Sequence, residues 1–127
     1  MNNRLHRDTE GKKPTRYYSD KQEKKVAKAI RGKQTSNSGA TPFDKGDVTD
    51  SSWLLECKTR TKESDSITVK KAWIEKNIAE SIYMKKDYNA LVINFGPDSD
   101  NYYIIDETTF LEMKEALEKV KQMEEHL

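Results

Sequence analysis

Two acids and an amine lie close together in the middle of the chain. Asp47 sits within Lys45-Gly46-Asp47-Val48, and Glu56 and Lys58 sit within Trp53-Leu54-Leu55-Glu56-Cys57-Lys58-Thr59. Carboxylates that converge on one point repel unless a cation lies between them. Oxygen ligands with open water positions suit Mg²⁺, with Mn²⁺ as its substitute. The backbone carbonyl of Cys57 is placed to add a third oxygen. Glu-x-Lys alone carries no information, because it occurs four times, at Glu10/Lys12, Glu23/Lys25, Glu56/Lys58 and Glu112/Lys114. Of these, Glu10 falls in a polar N-terminal arm, and Glu23 and Glu112 fall on expected helices, where residues i and i+2 point apart. Glu56/Lys58 alone falls on an expected strand, where i and i+2 share a face.

The elements around these residues follow from periodicity and turn chemistry. Residues 1–18 lack a period, contain Gly11 and Pro14, and read as a flexible arm. Asp20 is placed to cap a helix running to about Arg31, with Glu23 completing a capping box and Gly32 ending the helix. Residues 33–45 read as a loop. Short strands are expected over 46–49 and 53–59, joined by a tight hairpin that sets Asp47 beside Glu56. On the second strand Leu54, Glu56 and Lys58 face one way, and Trp53, Leu55 and Cys57 face the packed side. A helix over 68–84 has Val69, Trp73, Ile74, Ile78, Ile82 and Tyr83 at helical spacing, with Lys70, Lys71, Glu75, Lys76 and Glu80 mostly off that stripe. Strands over 90–95 and 102–105 precede a last helix capped by Thr108 or Thr109, with Leu111, Ala116, Leu117 and Val120 toward the core. This order predicts an α/β domain, a central mixed sheet flanked by helices, over residues 19–127.

Composition narrows the function class. The chain has 127 residues, 35% of them charged and 34% hydrophobic, and no apolar run reaches the roughly 18 residues of a membrane span. The polar N-terminus carries no secretory signal, and one cysteine fits a reducing compartment such as the cytoplasm. Residues 1–33 carry 11 Lys and Arg against 4 Asp and Glu; residues 34–127 carry 12 against 18. A basic arm on a near-neutral body suits an anionic partner such as nucleic acid, or is a solvated tail. His6 and His126 lie at the two ends without zinc-ligand spacing.

Asp47, Glu56 and Lys58 together resemble the acid–acid–lysine set of the PD-(D/E)xK nuclease superfamily, whose fold is restriction-endonuclease-like. Gly46 stands where that family often has proline. Glu23 matches the acid that many members carry on the N-terminal helix, beside its reading as a capping-box residue. Ser36-Asn37-Ser38-Gly39 resembles the Ser-Gly loop of small archaeal and phage Holliday junction resolvases, and the likeness spans about residues 19–106.

The resemblance implies Mg²⁺-dependent phosphodiester hydrolysis in DNA. Asp47, Glu56 and Glu23 would hold the metal, and Lys58 would orient or deprotonate the attacking water or stabilise charge on the phosphorane. Arg16, Arg31, Lys33, Ser36, Ser38, Lys45, Lys70 and Lys76 are candidates for DNA contact. A four-way junction is two-fold symmetric and needs two cuts, so a homodimer matches it. The alternatives are a related nuclease cutting linear or single-stranded DNA, and a non-catalytic DNA-binding protein on the same fold. A cytoplasmic setting follows, the host's cytoplasm for a phage-encoded chain.

Overall fold

The computed structural model describes residues 14–35 and 47–127. The arm residues 1–13 and the candidate DNA contacts Ser36, Ser38 and Lys45 lie outside the described residues.

Helix α1 spans Thr15–Ile30. It begins well before Asp20, directly after Pro14, whose own amide could not have joined a helical hydrogen bond. Asp20 and Glu23 therefore sit in mid-helix and form no capping box, and the helix takes in the end of the expected arm. The far end closes as expected: Arg31 adopts a left-handed conformation (φ 58°), and the Gly32 amide donates to the Ala27 carbonyl at 2.8 Å.

The chain then enters a five-stranded sheet in sequential order: β1 (Lys33–Gln34), β2 (Asp47–Thr49), β3 (Trp53–Lys58), β4 (Tyr88–Ile93) and β5 (Tyr102–Ile104). β1 falls where a loop was expected. It pairs antiparallel with β2, an edge too short to leave a periodic signal. The β2–β3 hairpin turns on Asp50, whose Oδ1 accepts from the amides of Ser52 and Trp53, both at 2.8 Å. β3 and β4 are parallel, joined by helix α2 (Lys71–Tyr83), and β5 returns antiparallel to β4. Helix α3 (Glu107–Glu125) starts on Asp106, whose carboxylate accepts from the Thr109 amide at 2.7 Å. Among the described residues no helix is long and apolar enough to cross a membrane.

Strand alternation gives the sheet two unlike faces. Val48, Leu55, Ala90 and Val92 form the core with Val26 of α1, and Trp53 and Cys57 pack at its edge. Asp47 and Glu56 point to the other face together with buried Leu54 and Leu91, and α2 covers that face. The sharing of faces along β3 is as expected.

The orientation of α2 is not. It buries Asn77, Glu80 and Ser81, and leaves Ile74, Ile78 and Ile82 exposed, the last by 71%. The sheet beneath carries carboxylates and strand-end carbonyls, which need polar partners; Asn77 Nδ2, for one, donates to the Ala90 carbonyl at 2.9 Å. The expected core residues of α3 differ too: Leu111, Leu117 and Val120 are all exposed, and Thr109 alone is buried on that helix.

Just beyond the end of α1, Gly32 passes close to the backbone of β2. A Cβ there would lie 2.4 Å from the Thr49 carbonyl oxygen, a backbone atom with little room to yield. Gly32→Ala is expected to destabilise the fold by about 1–3 kcal/mol. Denaturant unfolding followed by tryptophan fluorescence checks this; an unchanged midpoint would contradict it.

Candidate metal centre

The antiparallel register sets Asp47 directly opposite Glu56, and a third acid, Glu80, reaches the same point from α2. One carboxylate oxygen from each lies within 4.8 Å of the other two. All three residues are buried, at 2%, 3% and 2% exposure. Asp47 Oδ2, Glu56 Oε2 and Glu80 Oε2 are each buried without a hydrogen-bond partner.

Two ammonium groups face the cluster. Lys58 Nζ lies 3.6 Å from Glu56 Oε2, and Lys76 Nζ lies 3.9 Å from Glu56 Oε1. Both lysine side chains are about one-third exposed, whereas the three acids are buried. Lys58 Nζ also sits 4.7 Å from the centre of the Trp73 ring, whose face holds a cation in place.

This arrangement is strained electrostatically. At an effective dielectric near 20, each pair of ionised carboxylates at such distances costs on the order of 3 kcal/mol. Burial pushes the Asp47 carboxyl up to about 9, helped by a hydrogen bond with Glu80 and by the charges of Glu80 and Glu56. Burial also raises Glu56, against the opposing pull of Lys58 and Lys76. The cluster can relax by holding protons or by holding a cation. The donors are all oxygens, with no imidazole or thiolate, so the residues fit a hard divalent ion of the Mg²⁺ or Mn²⁺ type.

The sequence-derived candidates divide on this geometry. Asp47, Glu56 and Lys58 come together. Glu23 does not join them. It lies on α1, across the sheet, where its Oε1 accepts from Gln34 Nε2 at 3.1 Å and its Oε2 lies 3.6 Å from Arg16 Nη1. Gln34 stands opposite Val48, a residue of the α1-side core. Glu23 is thus neither a cap nor a member of the acid cluster. Glu80 adds to the cluster a third carboxylate that the sequence pattern does not point to. Burial holds the Cys57 thiol above its usual range, which disfavours its thiolate form.

Of the DNA-contact candidates, Lys76 turns toward Glu56 and belongs to the centre. Lys70 sits over the Trp73 ring at 5.8 Å. Arg31 and Lys33 line an open polar cleft of about 710 Å³ together with Lys86, and Arg16 is engaged with Glu23.

The isoleucines at helical spacing point to the opposite side of α2 from Glu80. Trp73, Lys76, Asn77, Glu80 and Ser81 also recur at intervals of three and four. A strand that presents Glu56 to a covering helix requires such a polar face.

An acid with a raised pKa binds its proton more tightly folded than unfolded. Its contribution to stability is full below the unfolded carboxylate range and is lost as pH rises through the folded value. The melting temperature in EDTA is therefore expected to fall between pH 6 and 9. Mn²⁺ should restore it most at the alkaline end, since metal binding displaces protons. Glu80→Gln removes one repelling charge. It should raise the metal-free melting temperature by roughly 3–6 °C and abolish the Mn²⁺ response. Calorimetry across this pH range checks both; a Mn²⁺ shift that survives Glu80→Gln would contradict the assignment.

Compared with protein-family models, curated proteins and solved structures, the chain gives no match.

Proposed function

We propose that this chain is a divalent-cation-dependent endonuclease of the restriction-endonuclease-like fold, cutting phosphodiester bonds in branched DNA such as a four-way junction. The observation that carries the reading is the β2–β3 register. It sets Asp47 against Glu56, with Lys58 two residues further along the same face and Glu80 closing the cluster from α2.

In this reading Asp47, Glu56 and Glu80 hold Mg²⁺. When bound, the cation polarises the phosphate and lowers the pKa of water. The chain's own contribution is positioning and charge. Lys58, braced on the Trp73 ring, directs its ammonium toward the cluster, where it orients a water or neutralises charge on the phosphorane. Lys76, the second ammonium there, draws a phosphate oxygen toward the acids. Without these two cations an anionic backbone would be repelled by three carboxylates. Arg31, Lys33 and Lys86 offer phosphate contacts along the sheet edge, and the basic residues of 1–13 add salt-sensitive ones. A DNA-directed role sets the protein in the cytoplasm, where Cys57 stays reduced.

The test uses a labelled four-way junction, a linear duplex of the same sequence and a single strand, each with Mg²⁺ or EDTA. Cleavage of the junction alone, and only with metal, is expected. Equal cutting of the linear duplex would remove the junction preference, and metal-independent binding without cleavage would remove the enzyme.

Lys58→Ala and Glu56→Ala should each lower cleavage by at least about 100-fold, with DNA binding retained. Full activity in either variant would contradict the site. Deleting residues 1–13 should weaken DNA binding and flatten its dependence on salt, as read by fluorescence anisotropy at several ionic strengths. An unchanged salt slope would make the arm a bystander.

A further inference from the structure

Among the described residues, nothing covers most of helix α3. It runs for 19 residues, yet Thr109 in its first turn is the only one buried. Phe110, Met113, Leu117 and Val120 are exposed by 54%, 45%, 69% and 51%, and Met123 beyond them by 68%. The first four are spaced three, four and three residues apart, the interval of a two-helix seam. A lone helix of this length is marginal in water, and its stability comes chiefly from packing an amphipathic face. The pairs Lys114–Glu118 and Glu115–Lys119 stabilise the helix along its polar side but cover none of the stripe.

We propose that α3 packs against α3 of a second copy of this chain about a two-fold axis, burying Phe110, Met113, Leu117 and Val120 of both. Residues 1–13 and 36–46 offer only Met1, Leu5 and Phe43 as large apolar side chains, a poor match in number and spacing for this stripe. Nucleic acid is no candidate. α3 carries six glutamates against three lysines, and these would repel a phosphate backbone. The same acidic side disfavours an anionic membrane surface. A two-fold contact pairs a patch with itself, and an unbroken apolar stripe flanked by both signs of charge is self-complementary.

The area is of the right size. The exposed apolar side chains of α3 present on the order of 600 Å², at the upper end of patches on monomers and near the roughly 800 Å² per partner of a standard interface. A mostly apolar hollow of about 320 Å³ adjoins the base of the stripe, lined by Ile30, Trp53, Leu55, Tyr103, Ile105 and Met113, with Asp50 as its one charged residue. Side chains of the second copy entering this hollow extend the contact onto the body of the domain.

The surface stands apart from the acid centre and does not depend on the nuclease reading. The experiment therefore uses the full chain without metal or DNA. Sedimentation equilibrium at roughly 50 µM should give twice the 14.7 kDa of one chain. Leu117→Lys with Val120→Lys should raise the dissociation constant at least about 100-fold. Both positions are exposed in the monomer, so the sheet should still melt cooperatively. Met123→Lys, further along the same side, should weaken the dimer about 10-fold and tests the surface independently. A mass of one chain for the unmodified protein would overturn the proposal. So would a dimer that persists unchanged with lysines at 117 and 120, since the contact would then lie elsewhere.

Discussion

Mutual repulsion among three buried carboxylates is the constraint around which the rest of this structure is arranged. Asp47, Glu56 and Glu80 occupy positions where hydrophobic residues would serve stability better, and each keeps a buried oxygen without a hydrogen-bond partner. The neighbouring residues offset that repulsion. Lys58 and Lys76 approach the two oxygens of Glu56, and Trp73 braces Lys58. Asn77 and Ser81 extend the polar face of α2 along the sheet. Such a cluster is relieved either by protons or by a bound cation, and we propose a divalent cation.

The polarity of the two sheet faces propagates outward from this point. The α1 face is an ordinary apolar core centred on Val26, Val48, Leu55 and Val92. The α2 face is apolar around Leu54 and Leu91 and charged around Asp47 and Glu56. α2 meets it with its polar side, which leaves the Ile74, Ile78 and Ile82 stripe outward. With α3 also standing off the sheet, the domain keeps much of its apolar content on its surface. This surplus bears on association between chains, as the acid cluster bears on chemistry.

The sheet and half of the centre were legible in the sequence because strand alternation is a local rule. Once 53–58 is a strand, Glu56 and Lys58 must share a face, and a tight hairpin on Asp50 must set Asp47 opposite Glu56. What stayed hidden depends on tertiary context. Glu80 becomes visible only when the covering helix is known to turn its polar side inward, against the usual rule that isoleucines point to the core. Glu23 matches both a capping pattern with Asp20 and the acid that the resemblance places on the N-terminal helix, yet the helix starts after Pro14, six residues upstream of Asp20, and Glu23 pairs with Gln34 and Arg16. The two-residue β1 has no period to read. On α3 the expected core side, Leu111, Ala116, Leu117 and Val120, shares only Leu117 and Val120 with the exposed stripe that also takes in Phe110 and Met113, and spacing shows that a face is apolar and not what covers it.

The most direct test of the cation at the heart of this account is anomalous diffraction from crystals grown with Mn²⁺. The account predicts one strong peak about 2.1–2.3 Å from an oxygen of each of Asp47, Glu56 and Glu80. A map with no peak there, the three carboxyl groups instead sharing protons among themselves, would contradict it.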